Sequence, residues 1–133
     1  MFLERRFQSN FMKFTTSLKK NYQFSRVYKR GTFAVGKYLI LYCLKNGCGE
    51  IRLGLTTSRK VGNSVVRNRI RRLLRENYRE MEKELLRDFD IVFVARARDK
   101  VPTYYEVKKE MKYLFRKVGL INKSVEPKVT AEK

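Results

Sequence analysis

At 133 residues and 43% hydrophobic content, the chain has the size and composition of one globular domain with a core, which excludes a disordered basic tail. Its 32 lysines and arginines stand against 13 acids, a formal net charge of +19, so the implied partner is a large polyanion, nucleic acid ahead of an anionic membrane surface. Histidine is absent and the only cysteines are Cys43 and Cys48, which leaves no zinc finger, no disulfide framework and no usual general base for protein-catalysed phosphoester cleavage.

Residues 1–16 carry Leu3, Phe7, Phe11 and Phe14 at helical spacing beside Arg5, Arg6 and Lys13. They lack the apolar core and small-residue cleavage site of a signal peptide, and no run approaches the roughly 18 apolar residues of a transmembrane helix. Chain ends are loose unless tied down, so a poorly ordered N-terminal extension is expected, in a protein of the reducing cytoplasm. A helix is then predicted from about Asn21, a good N-cap residue, to Gly31, a good terminator, with Phe24, Val27 and Tyr28 on one side. Lys19, Lys20, Arg26, Lys29 and Arg30 make it basic.

From Thr32 to Ser58 the period changes to two. Tyr38, Ile40, Tyr42 and Leu44 alternate with Leu39, Leu41 and Cys43, and after a turn at Asn46-Gly47 the run IRLGLTTS repeats the pattern, so paired strands are predicted, preceded by a short one at Phe33 to Val35. After a central helix, FDIVFVA from Phe89 to Ala95 reads as a buried strand. Thr103 and Glu106 form a capping box for a last helix that carries Val107, Met111, Leu114 and Val118 and is closed by Gly119. Residues 121–133 bury little and read as a tail. Helix, strands, helix, strand, helix is the order of an α+β fold, an α/β sandwich of three helices on a small mixed sheet of about four strands, with the domain spanning residues 17–120. The strand-helix-strand connection over 51–95 would be a right-handed crossover by the general rule, if its strands are parallel.

The chain is organised around RKVGNSVVRNRIRRLLRENYR, Arg59 to Arg79, with eight Arg and Lys against the single acid Glu76. At about 100° per residue, Val66, Ile70, Leu73, Leu74, Met81 and Leu85 fall on one stripe, while Asn68, Arg72, Arg75 and Arg79 gather opposite. Surface helices usually mix both signs for i,i+4 pairing; a face of one sign is what phosphate binding requires. Asn63 and Ser64 are both good N-cap residues, and they direct the first-turn N–H groups the way Arg59 and Lys60 point. There is no GxxxxGK[ST] nucleotide loop.

SRKVGNSVVRNRIRRLLRE, Ser58 to Glu76, closely resembles the RNR motif of the bacterial ribonuclease P protein subunit. LKKNYQFSRVYKRG, Leu18 to Gly31, and RLGL, Arg52 to Leu55, resemble that family in the same order and spacing, so the match covers about residues 17–120. The resemblance implies an accessory subunit of a ribonucleoprotein that removes the 5′ leader from precursor tRNA. In that family the RNA subunit and its Mg²⁺ do the chemistry, so no catalytic residue, metal or cofactor is expected in this chain. It implies that Arg67, Asn68 and Arg69, continued by Arg71, Arg72 and Arg75 and flanked by Arg59 and Lys60, contact the RNA subunit. It implies a cleft for the single-stranded leader at Phe24 and Tyr28, with Tyr42 as a weaker candidate and Lys20 as the basic flank. Tyr28 stands where phenylalanine is common. The family also has an unusual left-handed strand-helix-strand crossover, against the general rule.

On spacing alone, Phe24 and Tyr28 are an ordinary i,i+4 core pair, and Arg67 lies at the edge of the apolar stripe, where a snorkelling side chain would also fit. A ribosomal or other structural RNA-binding protein shares the charge and the lack of catalytic residues, but has no need of an aromatic cleft. A DNA-binding helix lacks its helix-turn-helix partner, since a strand precedes it, and a membrane-surface role rests on the first 14 residues alone.

Overall fold

The computed structural model describes residues 14–121. The elements are β1 (Thr15–Ser17), α1 (Asn21–Arg30), β2 (Thr32–Val35), β3 (Leu39–Lys45), β4 (Ile51–Thr56), α2 (Ser64–Met81), β5 (Phe89–Ala95) and α3 (Tyr104–Val118), with 3-10 turns at Arg59–Val61 and Glu82–Glu84. The strands form one mixed sheet in the order β1-β4-β5-β3-β2. Central β5 is parallel to β4 and antiparallel to β3, and β4 is parallel to β1. Parallel neighbours need a long connection, and α2 supplies it between β4 and β5. The fold is the expected α+β arrangement of three helices on a mixed sheet.

Strand alternation divides the sheet into two unlike faces. Leu39, Leu41 and Cys43 of β3, Ile51 and Leu53 of β4, and Ile91 and Phe93 of β5 pack with Ile70, Leu74 and Tyr78 of α2 and Met111, Leu114 and Phe115 of α3 in the main core. On the other face lies α1, and the buried cluster there is only Leu18, Val27 and Val92, bordered by half-buried Phe24, Tyr42, Leu44 and Val94. Both faces of β5 are thus covered, which is why its sequence is nearly continuous apolar rather than alternating.

Local chemistry sets the helix ends. Thr103 Oγ1 accepts from Glu106 N at 3.2 Å and Glu106 Oε1 from Thr103 N at 2.9 Å, so the predicted capping box forms, and that backbone donor holds the Glu106 carboxyl below its ordinary pKa. Gly119 closes α3 at φ 83°, in the left-handed region that glycine tolerates. At α1, however, Asn21 is the first helical residue and not the cap. Lys20 holds the N-cap position, and Gln23 Oε1 accepts from the N–H groups of Lys19 and Lys20, each at 3.0 Å.

The strand count and both domain boundaries are corrected as well. The sheet has five strands, not about four, because β1 forms from Thr15 and Thr16, in the stretch expected to be loose, together with Ser17. Thr15 Oγ1 donates to Glu82 Oε2 at 2.6 Å and lies 2.7 Å from the Tyr78 hydroxyl, and Phe14 N donates to Glu82 Oε2 at 2.7 Å. Those buried bonds tie the chain to the end of α2, and nothing in a run of small polar residues announces them. At the other end, Ile121 is buried and bridges Leu85, so it belongs to the domain and not to the tail. The remainder of the expected extension and tail lies outside the described residues.

Candidate nucleic-acid interface

The groove under α1 begins with a close approach. A Cβ on Gly54 would lie 2.5 Å from Phe24 Cε1, so the glycine in RLGL lets the phenylalanine ring sit directly on β4. From there the rings continue: Phe24 to Tyr28 at 6.5 Å between centroids, Tyr28 to Tyr42 at 4.9 Å edge-on, and Tyr42 to Phe33 at 5.7 Å. Phe24 and Tyr42 are half-buried while Tyr28 and Phe33 are exposed, so this is an open aromatic surface and not a closed core. Lys20 is exposed at the N-cap of α1, one turn before Phe24. The structure therefore brings the predicted Phe24, Tyr28 and Tyr42 together and adds Phe33.

Beneath α1 a buried ion pair joins neighbouring strands, and Arg26 of the helix reaches toward it. Asp90 has no exposed surface, and it accepts from Arg52 Nε at 2.7 Å and Nη2 at 3.1 Å and from Asn46 Nδ2 at 2.8 Å, with Arg26 of α1 at 3.8 Å. A carboxylate so surrounded stays favourable inside because both its oxygens are satisfied. Other acids are engaged in the same way. Glu110 accepts from the backbone N–H groups of Lys37, Tyr38 and Leu39, and Glu82 from Phe14 and Thr15. Much of the negative charge is thus drawn into internal hydrogen bonds, leaving the surface strongly positive.

At the entry to α2, Asn63 is the N-cap, its Oδ1 accepting from Val66 N at 3.0 Å. Arg67 and Arg71 already have partners within the chain: Arg67 Nη1 donates to Gly62 O at 2.9 Å, and Arg71 donates to Thr57 Oγ1 and, at 2.7 Å, to Asn68 Oδ1. Each guanidinium has five donors, so these bonds aim the fork without exhausting it. Arg59, Lys60, Arg69 and Arg72 are exposed, Arg75 half-buried. Toward α3 the positive face ends, where Glu80 meets Lys108 at 3.9 Å.

Two consecutive residues join the groove to the helix. Tyr28 Oη lies 3.1 Å from Thr56 Oγ1, and Arg71 donates to Thr57 Oγ1. The end of β4 thus carries an aromatic contact on one side and a cationic contact on the other, and the chain passes straight into the turn with Arg59 and Lys60. Among the described residues no cluster of His, Cys, Asp and Glu has the arrangement to hold a metal ion, and no helix is long and apolar enough to cross a membrane.

Residues 12–119 match the sequence family described as Ribonuclease P. The chain belongs to the ribonuclease P protein family. The ribonuclease P protein component of Alkaliphilus metalliredigens is 43% identical over 111 residues, covering 84% of this chain and all of that protein, and that of Bacillus velezensis is 44% identical over 114 residues, covering 85% and 97%. Among solved structures, the Staphylococcus aureus RNase P protein superposes with a TM-score of 0.73 at 31% identity, covering 80% of this chain and 97% of the other. The Thermotoga maritima protein gives 0.66 at 27% identity, covering 75% and 96%.

Within this ribonuclease P protein, Gly54, Thr56, Thr57, Asp90 and Phe33 shape the surface but escape a reading of the sequence. Gly54 and the threonines lie in a strand pattern that gives no pairing partner. Asp90 does leave a signal, an acid inside an otherwise apolar strand, which must find a partner if the strand is buried. Phe33 is visible only once its register opposite Tyr42 is known.

Proposed function

We propose that the α2 surface, with Arg59, Lys60, Arg67, Asn68, Arg69, Arg71, Arg72 and Arg75, holds the RNA subunit of ribonuclease P, and that the groove under α1 takes the 5′ leader of precursor tRNA. The chain is a protein subunit of the ribonuclease P holoenzyme, the endoribonuclease of tRNA 5′ maturation. The proposal concerns which of its surfaces does what, with the RNA subunit and its Mg²⁺ carrying the chemistry in the cytoplasm. The observation that carries it is the open run of rings from Phe24 to Tyr42 beside the cationic face of α2, tethered together through Thr56 and Thr57.

The physics of the two surfaces differs. Cations on α2 gain affinity from phosphates whatever the sequence, by displacing condensed counterions. Rings in the groove accept any base through its π-face, so leaders of unrelated sequence bind alike while Lys20 meets the backbone. A subunit that holds the RNA subunit with one surface and the leader with the next fixes the strand relative to the catalytic RNA, and orientation of that kind lowers a barrier without any protein group touching the scissile bond.

The test is reconstitution with a bacterial ribonuclease P RNA at low Mg²⁺. The protein is expected to stimulate precursor cleavage. Phe24→Leu keeps apolar volume and discards the π-face, so it should weaken precursor binding by up to about 5- to 150-fold while mature tRNA, which lacks the leader, is hardly affected. Equal weakening of both substrates, or loss of thermal stability alone, would make Phe24 a core residue and refute the groove assignment. Failure to stimulate at all, with ribosomal RNA recovered as the bound partner, would favour a structural RNA-binding role instead.

A further inference from the structure

Phe33 has no place in the core. On edge strand β2 it is 60% exposed, and Val35, two residues on and on the same side of the sheet, is 49% exposed. Single apolar residues at a surface need no explanation, but these are not single. In the β2-β3 ladder Phe33 lies opposite Tyr42 and Val35 opposite Ile40, so apolar surface continues from the rings beside α1 out to the edge of the sheet. The centroid step from Tyr42 to Phe33, 5.7 Å, lies between the two steps before it, 6.5 and 4.9 Å.

We propose that Phe33 is a further base-stacking platform, where the leader runs out over β2, so that affinity depends on leader length up to the nucleotide that reaches this ring. The inference rests on the groove being the leader site and adds to it a defined far end. An exposed apolar edge strand is also a place where a second copy of a protein can pair. The charges around it argue for RNA. Lys29 and Arg30, at the end of α1 just before β2, are both exposed on a chain of net charge +19. Like charges at a shared edge repel another copy and attract a phosphate backbone. Aromatic platforms along a basic groove are how single strands are held without regard to sequence.

The experiment measures binding of the reconstituted holoenzyme to precursor tRNAs whose leaders grow one nucleotide at a time. Wild-type affinity should rise with length and then level off. Phe33→Ser should match wild type on short leaders, lose the last increment by about 5- to 150-fold, and level off earlier, while Phe33→Trp, which keeps a π-face, should retain it. If wild-type affinity ignores leader length, the groove reading fails and this inference with it. If Phe33→Ser follows wild type at every length, the groove stands and Phe33 is not a platform. If Phe33→Ser weakens mature tRNA equally, or dissociates a wild-type dimer in sedimentation, the residue is a structural or protein contact and the inference is overturned.

Discussion

The two faces of the sheet use the same residue types for opposite ends. Under α2 and α3, Phe93 and Phe115 pack edge-on at 5.5 Å with Tyr78 beside them, and all three are without exposed surface. Under α1, four rings stand at similar distances and every one keeps contact with solvent. The difference lies in coverage. Two long helices seal one face, while a helix of ten residues leaves the other partly open and reaches the buried Asp90 through Arg26 at 3.8 Å. An aromatic residue is a core residue or a binding platform according to what lies above it, not according to its own chemistry.

That contrast can be broken from either side. The largest effect is expected in the sealed core, where Phe115→Ala leaves a cavity and should cost about 3–5 kcal/mol in denaturant unfolding. A loss under about 1 kcal/mol would mean that the core under α2 and α3 is not close-packed. At the boundary, Gly54→Ala puts a methyl group where the Phe24 ring rests; about 1–3 kcal/mol of overpacking is expected, with loss of the preference for precursor over mature tRNA. Unchanged preference would show that the ring position on β4 does not matter for binding. Farthest from both layers, Arg72→Ala should leave stability within about 0.5 kcal/mol and flatten the slope of log affinity for the RNA subunit against log salt by about 0.7–0.9. An unchanged slope would remove Arg72 from the phosphate contacts.

The charges also differ between what is visible in sequence and what is visible in space. Thirty-two cations against 13 acids announce a polyanion partner, yet they do not say that Asp90, Glu82 and Glu110 are engaged by internal donors. Arg52 and Asp90 lie on neighbouring strands, and their pairing became apparent only from the register of β4 against β5. Arg67 and Arg71 differ in the same way on a shorter scale, since Arg67 bonds a turn and Arg71, besides Asn68 of its own helix, bonds a residue at the end of β4, which helical periodicity does not contain.

Local physics was legible, with the α1 cap, at Lys20 and not Asn21, as an exception. Period-two and period-3.6 patterns, the Thr103 capping box, the glycine after α3 and the one-sign face of α2 depend on residues within a few positions of one another, so the sequence alone determined three helices, the main strands and a cationic helix. Long-range pairing was not legible. β1 exists because Thr15 reaches Tyr78 and Glu82, more than 60 positions away, and its own residues carry no pattern. The family resemblance put Phe24, Tyr28 and Tyr42 in one cleft, but only the tertiary structure decided that Phe33 extends it, because adjacency across strands follows from register, and register is fixed by burial of the whole sheet and not by any one segment.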